Sequence, residues 1–168
     1  GITQAGSTFK PFALIAALEQ GISLASIWNG DGPKIFDDGI GRPYEVSNYG
    51  DKSFGDLSLL KATASSINTI YVPLGMKVGT DKVIDAARRA GIPENIAMVS
   101  TPSVVLGVAS PRVIDVANSF ATFAANGVRA KPFMVKEVLG ANKGVLYQAR
   151  VETEQVFDEA VMEIGRAH

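Results

Sequence analysis

At 168 residues, with 46% apolar and 20% charged side chains, the chain is sized for one domain with its own core, and its globular composition excludes disorder, collagen-like sequence and coiled coil. Sixteen basic against seventeen acidic residues leave a net charge of -1, and no basic block interleaved with aromatics is present, which excludes the footprint of a nucleic-acid binder. Cysteine is absent, so disulfide frameworks and thiolate metal sites are excluded, and no apolar run approaches the roughly 20 residues of a spanning helix.

The first predicted element is a helix over residues 7–20. Ser7 or Thr8 caps it, Pro11 sits in the first turn where a missing N–H is harmless, and Gly21 follows as a stop. Phe9, Phe12, Ala13, Ala16 and Leu18 give it an apolar surface broad enough for a central helix. The apolar run at 12–18 is too short for a spanning helix and lacks the basic flank of a signal peptide. Residues 29–55 are rich in Gly, Asp and Pro and read as an ordered surface excursion, with extended pieces at 34–36 and 44–46.

Helices are predicted at 57–64, at 68–77 before Gly79, and at 80–90 before Gly91-Ile92-Pro93. Ser110-Pro111 opens a further helix through Val113, Val116, Ala117, Phe120 and Phe123 to Asn126-Gly127. The period then changes: 134–139 and 145–147 read as a β-hairpin around the turn from Gly140 to Gly144, and a helix restarts at 158–163. Both ends are expected to be cut, so that residues 1–168 are one partial domain.

Ser7-Thr8-Phe9-Lys10 is the sharpest chemical feature. Positions three apart on a helix share a face, with Cβ atoms about 5–6 Å apart, so the lysine amine reaches the serine one turn earlier. At a helix N-terminus among apolar neighbours both the ammonium and the hydroxyl lose a proton more readily, and a neutral amine then serves as base for the hydroxyl. His168 is the only histidine and stands at the terminus, so no Ser-His-Asp triad can form. Ser66-Ile67-Asn68 follows between two predicted helices; alone it reads as an ordinary cap. Asp37-Asp38 reads as a solvated loop pair, and Asp115 and Arg88-Arg89 as charges on helix faces that pair with solvent or neighbours. Trp28 and Tyr71 read as core or as the border of a cleft. No metal-ligand cluster or phosphate-cradling loop is present in the sequence, and no cofactor is implied.

Ala5-Gly6-Ser7-Thr8-Phe9-Lys10-Pro11-Phe12 resembles the nucleophile box of class A penicillin-binding proteins, Pro-Gly-Ser-x-Phe-Lys-Pro-Phe, with Ala5 in place of the first proline. Ser66-Ile67-Asn68 supplies the second signature of that family, Ser-x-Asn, with Ser65 as the motif serine only in a shifted register. The resemblance runs in order through 17–21, 102–107, 117–127 and 144–147, nearly the whole chain. It implies the α+β fold shared by β-lactamases and transpeptidases, mainly its helical half, with most of the five-stranded sheet missing from this chain.

The implied activity is a peptidoglycan D,D-transpeptidase working through an acyl-serine, the target of β-lactam antibiotics. Ser7 is then the nucleophile and Lys10 the base. Ser66 relays a proton toward the leaving amine, and Asn68 holds a substrate amide and the Lys10 amine. The implied partners are peptidoglycan stem peptides and β-lactams, at the extracytoplasmic face of a bacterial membrane, with any anchor outside this chain. A D,D-carboxypeptidase or β-lactamase of the same fold, or a non-catalytic penicillin-recognising sensor, are the alternatives. The third signature, Lys-Thr-Gly, is absent. Its strand supplies one oxyanion donor, whose loss lowers rates on the order of 10²–10³. Without the sheet, one face of the central helix is expected to be exposed, and that uncovered surface to need a further segment or to self-associate.

Overall fold

The computed structural model describes residues 3–166. The expectations placed on His168, and on Gly1 and Ile2 at the start, lie outside the described residues. The chain begins with a 3-10 turn, Gly6–Phe9, that runs without a break into α1, Lys10–Glu19. Neither Ser7 nor Thr8 caps α1, because the backbone is already helical there. Gly21 ends the helix at φ +77°, its amide donating to Leu18 O and that of Ile22 to Ala17 O, a left-handed stop that glycine adopts without steric penalty.

The α1 helix is buried on more than one side and none of its apolar residues is exposed, so the expected open face of the central helix is not found, because other helices cover it. Phe12, Ala13, Ile15, Ala16, Ala17 and Leu18 are all buried. Around it pack α3 (Asn68–Val78), α4 (Thr80–Ala90), α6 (Glu159–Arg166) and a 3-10 turn at Pro102–Leu106. An aromatic chain crosses the core from the first turn: Phe9 on Phe12 at 4.7 Å, Phe12 on Phe123 at 5.7 Å, and Phe123 on Phe157 at 6.0 Å between centroids.

The excursion is ordered by two antiparallel ribbons. Strand β1 (Ile27–Asn29) pairs β4 (Asp56–Ser58) with Trp28 opposite Leu57, and β2 (Lys34–Asp37) pairs β3 (Pro43–Val46) with Ile35 opposite Glu45. Leu57 therefore lies inside a strand and does not open a helix. The following helix, α2 (Leu59–Ala64), starts after Ser58, whose Oγ accepts the Lys61 amide at 3.3 Å. Helix α5 is Val113–Ala124, starting two residues later than expected because Arg112 is extended, at ψ 150°. Asp115 pairs with its neighbour Arg112 and is buried.

Strand β5 (Val128–Ala130) pairs β8 (Thr153–Gln155), which the sequence pattern did not announce. The expected hairpin is present as β6 (Glu137–Leu139) and β7 (Val145–Gln148), with a bulge at Val138/Leu139; residues 134–136 lie outside the strand. Among the described residues the strands thus form four two-stranded ribbons. Arg89 ties the helical layer together, bonding both carboxylate oxygens of Glu19 on α1, Asp85 on its own helix, and Val156 O. Val113, Phe120 and Leu146 are exposed apolar side chains on α5 and the hairpin.

Candidate active site

Ser7 sits exposed in the first 3-10 turn, and among the described residues its hydroxyl makes no hydrogen bond. Two backbone bonds hold that turn: the Ala5 amide donates to Ala109 O at 2.9 Å and the Gly6 amide to Gly107 O at 3.0 Å. Gly6 and Gly107 both have positive φ, +58° and +70°, and a Cβ on Gly107 would overlap the Gly6 backbone. The segment 102–107, which carries no reactive side chain, is therefore the platform on which the serine turn rests. Sequence pattern alone marks Gly107 only as a glycine after an apolar run.

Lys10 lies one turn on and is 4% exposed. Its ammonium donates to Ser66 O at 2.6 Å, Ser66 Oγ at 2.9 Å and Asn68 Oδ1 at 2.6 Å. The Tyr71 ring lies 5.6 Å from Nζ, and the Tyr71 hydroxyl shares a 2.6 Å bond with Thr63. Burial lowers the Lys10 pKa from 10.5 to about 8 and pushes that of Tyr71 up to about 12. Tyr71 thus borders the site. Trp28 donates Nε1 to Ser26 Oγ at 2.8 Å and packs against the core.

The Ser66 geometry comes from the way α2 ends. Ser66 N donates to Thr63 O and Ile67 N to Ala62 O, closing the helix around a left-handed residue, and that residue is Ser66 at φ +53°. Glycine usually fills such a position, and an L side chain there is strained by about 1–2 kcal/mol. The strained conformation turns both the Ser66 carbonyl and its hydroxyl toward Lys10. Ser65, one residue earlier, makes no such bond, so the motif register is Ser66-Ile67-Asn68. Asn68 begins α3 and is held at both ends of its amide, Oδ1 by Lys10 and Nδ2 by Ser47 O at 2.9 Å.

These contacts constrain the proton. An ammonium has three donors, and three acceptors surround this one. When the amine is neutral it keeps two donors and gains a lone pair, so one contact must break or reverse. The Ser66 carbonyl and Asn68 Oδ1 can only accept. Of the three, only the Ser66 hydroxyl can turn round and donate. Ser66 is therefore coupled directly to the protonation state of Lys10. Of the four residues singled out from the sequence, Lys10, Ser66 and Asn68 are in contact, while Ser7 lies on the preceding turn and its hydroxyl is not hydrogen-bonded to any of them. Ser47, Asn48 and Gly107 complete the surroundings. No group of three metal-ligating side chains and no helix long and apolar enough to cross a membrane occurs among the described residues.

The family described as "Penicillin binding protein transpeptidase domain" matches residues 1–164. Penicillin-binding protein 1A of Mycobacterium tuberculosis is 37% identical over 160 residues, covering 87% of this chain and 19% of the relative. Penicillin-binding protein 2D of Bacillus subtilis is 30% identical over 157 residues, covering 93% and 22%. The chain spans about a fifth of the length of these relatives. Among solved structures, the penicillin-binding protein PonA1 from Mycobacterium tuberculosis superposes with a TM-score of 0.84 at 34% identity, covering 96% of this chain and 45% of that one. The same protein in complex with penicillin V gives a TM-score of 0.83 at 34% identity, covering 97% and 45%.

Proposed function

The chain belongs to the penicillin-binding protein transpeptidase family, and from that premise we propose that it carries the nucleophile half of a D,D-transpeptidase that cross-links peptidoglycan through an acyl-serine on Ser7. The observation that carries this reading is the buried Lys10 amine, bonded to Ser66 Oγ and Asn68 Oδ1 one helical turn after Ser7. A pKa of about 8 leaves about a tenth of the amine neutral at pH 7, enough for a base near its working pH.

In the proposed reaction the neutral Lys10 amine takes the Ser7 proton while Ser7 Oγ bonds to the carbonyl carbon of the penultimate D-Ala of a stem peptide. The tetrahedral intermediate collapses with cleavage of the C–N bond. The departing D-Ala amine takes a proton from the Ser66 hydroxyl, which Lys10 replenishes. An amine of a second strand then attacks the ester, gives up a proton by the reverse route and frees Ser7. The Ser7 amide is one candidate oxyanion donor, and the Lys-Thr-Gly strand that supplies the other in relatives is not within these 168 residues. β-Lactams acylate Ser7 as mimics of the stem peptide. The site faces the extracytoplasmic side of a bacterial membrane.

The test is intact mass after incubation with a penicillin, run beside Ser7→Ala. An increase of one drug mass, absent in the variant, supports the reading. If neither this chain nor a polypeptide extended past His168 is labelled, the enzyme reading gives way to a binding module. Release of the acyl group to an amine and not to water separates the transpeptidase from a carboxypeptidase or β-lactamase. The exposed apolar surface of α5 and the hairpin further implies that the chain self-associates unless another segment covers it. Sedimentation as a monomer over a wide concentration range would overturn that.

A further inference from the structure

Asn68 points its carbonyl oxygen at Lys10 because the other end of its amide is held by a backbone carbonyl, that of Ser47. Reversed, the amide would turn its NH₂ toward an ammonium and lose both bonds. The position of the Ser47 carbonyl therefore matters, and its own side chain does not fix it. The next residue does.

Asn48 is 5% exposed and uses the whole hydrogen-bonding capacity of its carboxamide. Nδ2 donates to Gly30 O at 3.0 Å and Lys52 O at 2.8 Å. Oδ1 accepts from the Thr69 amide and the Thr69 hydroxyl, both at 3.1 Å. Thr69 is the second residue of α3, and its amide is one of the N-terminal donors that a helix leaves unpaired. The residue preceding α3, Ile67, cannot cap it. Asn48 supplies the missing cap from 21 residues away. The single Thr69 O–H proton is shared between Asn48 Oδ1 and Gly30 O, the latter at 3.0 Å, closing a buried ring of contacts between the excursion and α3.

We infer that Asn48 is a positioning residue for this site: its buried carboxamide pins the Ser47 carbonyl to the start of α3 and so sets which end of the Asn68 amide faces Lys10. The inference rests on the acyl-serine reading for its effect on rate, and on geometry alone for its effect on Asn68. Asn48→Asp keeps the volume but places a second oxygen against two carbonyls that need a donor. Thr69→Val removes the hydroxyl at constant shape, and Thr69→Ser keeps it.

The experiment uses the whole chain with asparagine labelled in nitrogen-15. The Asn68 side-chain amide signal is assigned by its absence in Asn68→Ala. In the parent protein its Ser47-bonded proton is protected from exchange. In Asn48→Asp and Thr69→Val that protection drops at least tenfold, while Thr69→Ser retains it. In parallel, the rate of penicillin labelling falls at least tenfold in the first two variants and stays within threefold in Thr69→Ser. Unchanged Asn68 protection in Asn48→Asp overturns the inference, as does labelling at the parent rate. If Asn48→Asp does not fold, Thr69→Val against Thr69→Ser decides by the same two measurements. If neither the parent chain nor a polypeptide extended past His168 is labelled, the functional reading fails, and the amide exchange alone settles the role of Asn48.

Discussion

Gly107 lies directly against the backbone of Gly6: the Gly6 amide donates to the Gly107 carbonyl at 3.0 Å, and there is no room between them for a single methyl group. The reactive turn thus rests on a residue one hundred positions away with no chemistry of its own. Its contribution is absence of a side chain and a left-handed φ of +70°.

Gly107→Ala is expected to lower stability by about 2–4 kcal/mol, the sum of a strained left-handed alanine and a clash with the Gly6 peptide. Urea denaturation measures the first effect. Penicillin labelling of the folded fraction should also slow, because the clash displaces Ser7. A variant with parent stability and labelling rate would mean that the platform is not needed.

The amine of Lys10 titrates near 8 in the folded chain and at 10.5 when unfolded, so between these values the unfolded state binds more protons. Stability from this group therefore rises with pH across that window, and the burden of a buried ammonium is fully present below it. Tyr71 acts in the opposite sense above about pH 10, since its pKa is raised on folding to about 12. Comparison with Lys10→Met cancels Tyr71. The denaturation midpoint of the parent should gain on that of Lys10→Met as pH goes from 8 to 10, and parallel curves would refute the shift.

Asn68→Asp puts a carboxylate where Oδ1 now accepts from Lys10 at 2.6 Å. An opposite charge at that distance favours the ammonium, so the Lys10 pKa rises above its present value of about 8. Penicillin labelling at neutral pH should fall at least tenfold and recover as pH is raised, a recovery that Lys10→Arg, which cannot lose its proton, should not show. Initial labelling rates across pH check both.

Ser66 occupies a left-handed position, φ +53°, at the end of α2. Ser66→Gly and Ser66→Ala both remove the hydroxyl, so their difference isolates the backbone. Glycine should be the more stable by about 1 kcal/mol, the reverse of the usual order inside a helix. Both should label slowly. Equal thermal midpoints would show that the conformation relaxes when the side chain changes.

The helices of this chain were legible from its residues, because apolar periodicity and the glycines at 21, 79 and 91 are local signals that the backbone obeys locally. The same holds for the serine and lysine one turn apart, and for the family resemblance, which rests on contiguous strings. Boundaries were less legible where a non-local partner competed: Leu57 joined a strand because β1 lies beside it, and β5 found β8 across 25 residues, Arg129 opposite Glu154. What only the tertiary structure decided is the set of partners around Lys10, which come from 56 and 58 residues away. The same is true of Gly107 beneath Gly6 and of Asn48 on α3. A hydrogen bond between distant residues depends on the closed path of the whole chain, and no window of sequence contains that path. The sequence by itself determined which groups could do chemistry, and packing decided which of them meet, in what protonation state, and with which end of an amide turned inward.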